Sequence, residues 1–138
     1  MRALVQRVAH ASVTVGDACV AGIGPGLLVL LGVTHDDTPE TADRLADKVR
    51  ALRVFADADG RMNEPLGDRE VLVVSQFTLY GDARKGTRPS YVAAAAAEHA
   101  EPLYERFRQR LNAEGGVFGA EMQVDLRNDG PVTLLVEL

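Results

Sequence analysis

Cysteine occurs once, at Cys19, tryptophan is absent, and aromatic residues make up only 5% of the chain. A single thiol excludes an internal disulfide and a Cys-rich zinc site. Basic side chains are also in deficit, 15 against 20 acidic, giving a formal charge of −5. A partner held by one broad basic face is therefore disfavoured, whereas a local basic patch is compatible with this charge. No long apolar run exists. The longest, Leu27 to Val33, is far too short to cross a bilayer. The opening MRALVQRVAH alternates and lacks the apolar core of a signal peptide, so a cytoplasmic location is expected. Low-complexity linkers and repeats are missing too. What remains is 138 residues, 46% hydrophobic and 25% charged, the composition of a single globular domain spanning 1–138.

The first third is β-like. Leu4, Val8, Val13 and Val15 favour strand, Gly16-Asp17 marks a turn, and Ala18 to Ile23 returns. Gly24-Pro25-Gly26 then precedes an unalternating apolar run, as expected of a strand buried on both faces. Thr38-Pro39 starts a helix, with Ala42, Leu45, Ala46, Val49 and Leu52 at helical spacing. Val71 to Phe77 reads as a second buried strand. Tyr91 to about Asn112 reads as helix, including the alanine run 93–97, with Pro102 predicting a kink or restart. Met122 to Leu126 and Val132 to Leu138 read as two strands around a turn at 127–131. The predicted fold is α+β: a mostly antiparallel or mixed, barrel-like sheet with helices packed on one side.

Familiar chemistry is missing. His10, His35 and His99 lie far apart with no metal-ligand spacing, and Cys19 reads as a small core residue. Asp57-Ala58-Asp59-Gly60 opens like a calcium loop, but no Glu closes it, which leaves a turn. No nucleotide-phosphate motif is present. Two segments stand out. Ser75-Gln76-Phe77-Thr78-Leu79 places polar side chains at the exit of a core strand. They either bond nearby backbone or line a shallow pocket where amides freed from the sheet meet a ligand. Asn128-Asp129-Gly130-Pro131-Val132-Thr133 is either ordinary hairpin punctuation or a compact loop around a cis proline.

Together, SQFTLYGD at 75–82 and NDGPVT at 128–133 resemble the signature of the D-aminoacyl-tRNA deacylases. MRALVQRV, RMN at 61–63 and KGTRPSY at 85–91 extend the likeness over essentially the whole chain. The resemblance implies a metal-free and cofactor-free homodimer that hydrolyses the ester between a D-amino acid and the terminal adenosine of tRNA. It also implies removal of glycine from mischarged tRNA for alanine. Ser75, Gln76, Phe77, Thr78 and Leu79 would line the pocket, with Gln76, Phe77 and Thr78 catalytic. Met122 would lie near the adenine. Gly130 and Pro131, with a cis peptide, would enter the partner subunit's pocket and reject L residues. Arg7, Asn128 and Thr133 would support that loop. One departure is the short segment EPLGDRE, with Pro65 where serine is usual, which bears on the shape of the loop at 64–70.

An aminoacyl ester is already activated, so the enzyme needs to aim water and stabilise an oxyanion. Amides near Phe77 and Thr78 suit the second task, and the substrate's ribose 2′-OH suits the first. The competing route makes Thr78 a covalent nucleophile, but no base is identifiable to activate it. Arg84, Lys85 and Arg88 form the local basic cluster for tRNA phosphates; no membrane or DNA partner is expected. Two other readings fit the same fold: a metal-free hydrolase of another small ester, and a non-catalytic RNA-binding module.

Overall fold

The computed structural model describes residues 1–138. Its elements run β1 (Arg2–Val15), β2 (Ala18–Ile23), β3 (Gly26–Gly32), α1 (Pro39–Ala51), β4 (Phe55–Ala56), β5 (Met62–Glu64), β6 (Glu70–Ser75), a 3₁₀ turn (Phe77–Tyr80), α2 (Ala97–Arg110), β7 (Glu114–Gly115) and β8 (Gln123–Glu137). The main sheet has the order β2-β1-β3-β6-β7, with β8 on the other side of β1, and it curls nearly into a barrel. β3 and β6 are parallel, so the chain between them must cross over, and α1 makes that crossing. β4 and β5 form a separate small ribbon.

The two apolar runs become strands buried on both faces, as their lack of alternation predicts. Leu27, Val29, Leu31, Val71 and Val73 join a 22-residue core with α1 and α2, whereas Leu28, Leu72 and Val74 enter an 8-residue core on the opposite face. β1 serves both cores. Ala3 and Val5 face the helices; Val8, Ala11 and Val13 face the second core. Strict alternation forbids that set, and the pairing with β8 shows the cause, an irregularity at Ala9 between Val8 and His10.

α1 starts as read: the Thr38 hydroxyl accepts from the Thr41 N–H, the Thr41 side chain returns the bond, and Pro39 holds the first helical position. α2 packs alongside it, tied by Arg106 to Asp43 and Arg110 to Asp47. In the shortened stretch after Asn63, Leu66 is fully buried and the Arg69 guanidinium lies 4.2 Å from the Phe55 ring centroid.

Several expectations are corrected. Residues 91–96 are not helical: α2 begins at Ala97, and the preceding alanines run as a strap along the end of β3. Ala94 pairs with Thr34, and the Ala95 N–H donates to the Val33 carbonyl. The open amides and carbonyls past β3 give this strap sheet-like bonds that outweigh alanine's helix propensity. Pro102 lies inside one continuous α2, without a restart. β6 ends at Ser75, and the chain then turns into the 3₁₀ segment. Cys19 is exposed, because β2 carries a bulge near its start and only Ala21 and Ile23 face the core. Lastly, Met122–Leu126 and Val132–Leu138 do not form a hairpin. Both halves pair with β1 in one direction, and β8 loops out between them.

Candidate active site

The site forms where the parallel strands end. The Gln76 N–H donates to the Leu31 carbonyl at 2.8 Å, a last sheet bond, after which the chain coils into the 3₁₀ turn. Internal bonds of the turn begin with Leu79 N–H to Gln76 carbonyl (3.2 Å) and Gly81 N–H to Thr78 carbonyl (2.9 Å). A 3₁₀ turn leaves its leading amides without partners inside it, and here those are Phe77 and Thr78. Ser75, Gln76 and Phe77 line a cleft of about 290 Å³ whose other walls are mainly apolar, from Leu31, Val33, Tyr104 and Phe118. The same three residues also border a neighbouring depression of about 250 Å³ that reaches Met122 and Val124. They form the partition between the two.

The remaining residues of the motif lie around this partition. Thr78 is exposed and borders neither space, but its hydroxyl accepts a short hydrogen bond from Gln76 Nε2. Leu79 turns away and offers its carbonyl to Arg2. Phe77 is 58% exposed, and its ring meets Tyr91 edge-on with centroids 5.2 Å apart. At the base of the cleft the Tyr104 hydroxyl donates to the Val73 carbonyl at 2.8 Å; burial pushes it up to about 12, which keeps it neutral. No histidine borders either space. His35 Nε2 lies 2.6 Å from the Val92 carbonyl and His99 Nε2 2.9 Å from the Asp37 carbonyl, while His10 is exposed on β1. No three His, Cys, Asp or Glu side chains converge.

The second motif is built around Arg7. In the β1–β8 register, Gln6 faces Thr133 and Val8 faces Asn128, so residues 129–132 are set against Arg7 alone and must bulge outward. Arg7 Nε donates to the Asp129 carbonyl at 2.8 Å, and Nη1 to the Val54 carbonyl at 2.6 Å. Asn128 closes the bulge from both sides. Its Oδ1 accepts from the Val132 N–H (2.8 Å), and its Nδ2 donates to the Val132 carbonyl (3.1 Å) and to Thr133 Oγ1 (3.2 Å). Gln6 Nε2 also donates to Thr133 Oγ1. The Gly130–Pro131 peptide is cis, and Gly130 has φ +147°. A Cβ there would lie 2.8 Å from the Val132 nitrogen, so only glycine fits. Gly130 and Pro131 are exposed and border neither space of their own chain.

Arg84, Lys85 and Arg88 share one open depression with Asp82 and Ser90. The Arg84 guanidinium forks onto both Asp82 oxygens at 2.9 and 2.6 Å, which lowers the Asp82 carboxyl to about 2. Sequence reading missed the apolar walls (Val33, Tyr104, Phe118) and the Phe77–Tyr91 pair. Apolar residues from separate chain segments leave no local pattern.

A family model described as D-Tyr-tRNA(Tyr) deacylase matches residues 4–137. A D-aminoacyl-tRNA deacylase of Thermus aquaticus is 55% identical, over 99% of this chain and 95% of its own. The one of Brevibacillus brevis is 52% identical, over 99% of both. Among solved structures, a c-Myc DNA Unwinding Element Binding Protein superposes with a TM-score of 0.94 at 40% identity, covering 100% of this chain and 99% of that one. A probable eukaryotic D-amino acid tRNA deacylase gives 0.86 at 17% identity, covering 99% and 98%, a likeness of fold. The polar turn beside an apolar cleft, the bulge opposite Arg7 and a match running nearly end to end therefore place the chain in the D-Tyr-tRNA(Tyr) deacylase family.

Proposed function

We propose that this protein hydrolyses the ester of D-aminoacyl-tRNA, releasing the D-amino acid and tRNA. The observation that carries the reading is a pair of turn-heading amides, Phe77 and Thr78, beside an apolar cleft that no base borders. The ester carbonyl is oriented toward those amides, which hold the oxyanion; one such donor is typically worth about 3 kcal/mol. Gln76 fixes the Thr78 hydroxyl beside them. Water, oriented by the 2′-OH of the terminal ribose, attacks the carbonyl carbon; the bond from that carbon to the 3′ oxygen then breaks, and a proton from the water passes through the 2′-OH to the 3′ oxygen, which leaves as a hydroxyl. The depression bordered by Met122 and Val124 suits the flat terminal base, and the cleft on the other side of the partition takes the aminoacyl group.

Selectivity falls to the bulge. A side chain that yields distinguishes shapes by only about 1–3 kcal/mol, too little to spare abundant L-aminoacyl-tRNA. Backbone held by Arg7, Asn128 and Thr133 yields less. Gly130 and Pro131 project from their own chain toward solvent, so we assign them to the cleft of a second copy, where they exclude an L side chain. β8 supports this pairing: Leu126, Leu134 and Leu135 are 36%, 39% and 56% exposed on a strand bonded only to β1, which leaves its other edge open. Glycine has nothing to clash, so glycyl-tRNA for alanine is also a substrate. Lys85 and Arg88 meet acceptor phosphates, while Arg84 beside them is held by Asp82. The whole chain acts as one domain, in the cytoplasm where charged tRNA is made.

The test compares D-Tyr, L-Tyr and Gly esters of tRNA, together with a free tyrosyl ester. Cleavage of the D and Gly forms with the L form spared is expected. Equal cleavage of D and L overturns the steric rejection, equal cleavage of the free ester points to a general esterase, and binding without hydrolysis points to an RNA-binding module.

A further inference from the structure

We infer that Arg2, seated beside the side-chain-free position Gly32, is a positioning residue that holds the 3₁₀ turn and its two leading amides in place. The role presupposes the deacylase reading only for its effect on turnover. The sheet register sets Glu137 of β8, Arg2 of β1 and Gly32 of β3 in one row. Directly opposed residues in antiparallel pairs face the same side. At Gly32 that side is occupied by the turn: a Cβ would lie 3.0 Å from Leu79 Cβ, 3.2 Å from the Gln76 carbonyl oxygen and 3.2 Å from Tyr80 Cδ2. The turn therefore rests where a side chain would otherwise stand.

Arg2 closes this seat from the side. Its Nη1 donates to the Leu79 carbonyl at 2.7 Å, and its guanidinium carbon lies 4.4 Å from the Tyr80 ring centroid. Such a charge-assisted bond is short and strong compared with a neutral one. The contact with Glu137 is poorer. Arg2 Nε is buried without an aligned acceptor, although Glu137 Oε1 stands 3.2 Å away. An arginine serving an ion pair would present its fork to the carboxylate; here the better bond goes to the turn. The Phe77 and Thr78 amides thus lie between two anchors, the Gln76 N–H on Leu31 and the Leu79 carbonyl on Arg2. Releasing the second lets them swing.

The test measures amide hydrogen exchange by NMR, melting, and single-turnover deacylation of D-Tyr-tRNA for wild type, Arg2→Ala, Arg2→Lys and Glu137→Gln. In Arg2→Ala, exchange at Leu79 and Gly81 should rise at least tenfold while Val73 stays unchanged. The rate at saturating substrate should fall between about 10- and 100-fold, as expected of misplaced groups, with KM within about threefold. Arg2→Lys, which keeps a donor for the Leu79 carbonyl, should recover part of both; Glu137→Gln should match wild type. Unchanged exchange at Leu79 and Gly81, or a rate loss matched by a general fall in protection, overturns the role. Should Arg2→Ala not fold, Arg2→Lys against Arg2→Met decides on the same amides, and equal exchange in the two overturns it. A wild type inactive on D-Tyr-tRNA refutes the deacylase reading while leaving the exchange result standing.

Discussion

Thr78 carries a hydroxyl next to the two amides, which makes it the natural suspect for a nucleophile. Its surroundings argue otherwise. The hydroxyl already accepts from Gln76 Nε2, the cleft holds no histidine, and a serine or threonine without a base is a weak nucleophile. Thr78→Ala is therefore expected to retain turnover within about threefold, whereas loss of an activated nucleophile costs at least about a thousandfold. Rapid-quench measurement on D-Tyr-tRNA decides: collapse of the rate, or a burst of released tRNA in wild type, restores the covalent route. At this scale the motif residues were legible because polar groups at a strand exit demand partners. Cys19 was not legible, since its exposure follows from a one-residue bulge in β2 that composition cannot register.

Elements show where local signals prevail and where they yield. Thr38 and Pro39 marked the start of α1 because capping chemistry is local. The alanine run failed as a helix signal because the free edge past β3 claims its backbone, a partner distant in sequence. The two halves of β8 were recognised, but not that one strand carries both: Gly and Pro punctuate bulges and hairpins alike, and only pairing along β1 separates them. Pro102 supplies the prediction proper to this scale. It is exposed inside a continuous α2, where it deprives the Glu98 carbonyl of its helical donor. Proline is about 3 kcal/mol worse than alanine in a helix interior, and its stiffening of the unfolded chain returns less than about 1 kcal/mol. Pro102→Ala should therefore stabilise the protein by about 2 kcal/mol, seen as a raised urea midpoint with unchanged slope. A lowered midpoint would mean that the ring contributes packing beyond its helical cost. Thr38→Ala, conversely, should cost about 1 kcal/mol by thermal melting, because it removes the hydroxyl that accepts from the Thr41 N–H and leaves only the backbone half of the capping box.

Over the whole molecule, the formal charge of −5 opposes any polyanion, so approach of tRNA depends on where the free cations cluster. Arg84, Lys85 and Arg88 share one depression, but they are not equivalent. Arg84 is forked onto Asp82, and that pairing together with the Arg84 N–H lowers the Asp82 carboxyl to about 2. A carboxyl depressed in the folded state contributes to the order of its loop above the ordinary carboxylate range and ceases to do so as pH falls through about 2. Between pH 5 and pH 8, as rough bounds on a tRNA assay, Asp82 therefore stays charged, Arg84 stays paired, and binding should be flat in pH as far as this loop is concerned. Salt is the sharper probe. Each phosphate neutralised steepens the dependence of log affinity on log salt by about 0.7–0.9. With Arg84 neutralised internally, Lys85 and Arg88 supply most of the response, and their joint replacement by alanine should flatten it by about 1.5. Asp82→Asn should act in the opposite sense: it releases Arg84, raises affinity for uncharged tRNA at low salt, and steepens the slope by nearly one phosphate contact. At high salt the variant and wild type should converge, since screening removes the advantage. Fluorescence anisotropy across a salt series reads all three slopes, and an Asp82→Asn line parallel to wild type would show that Arg84 never meets the nucleic acid.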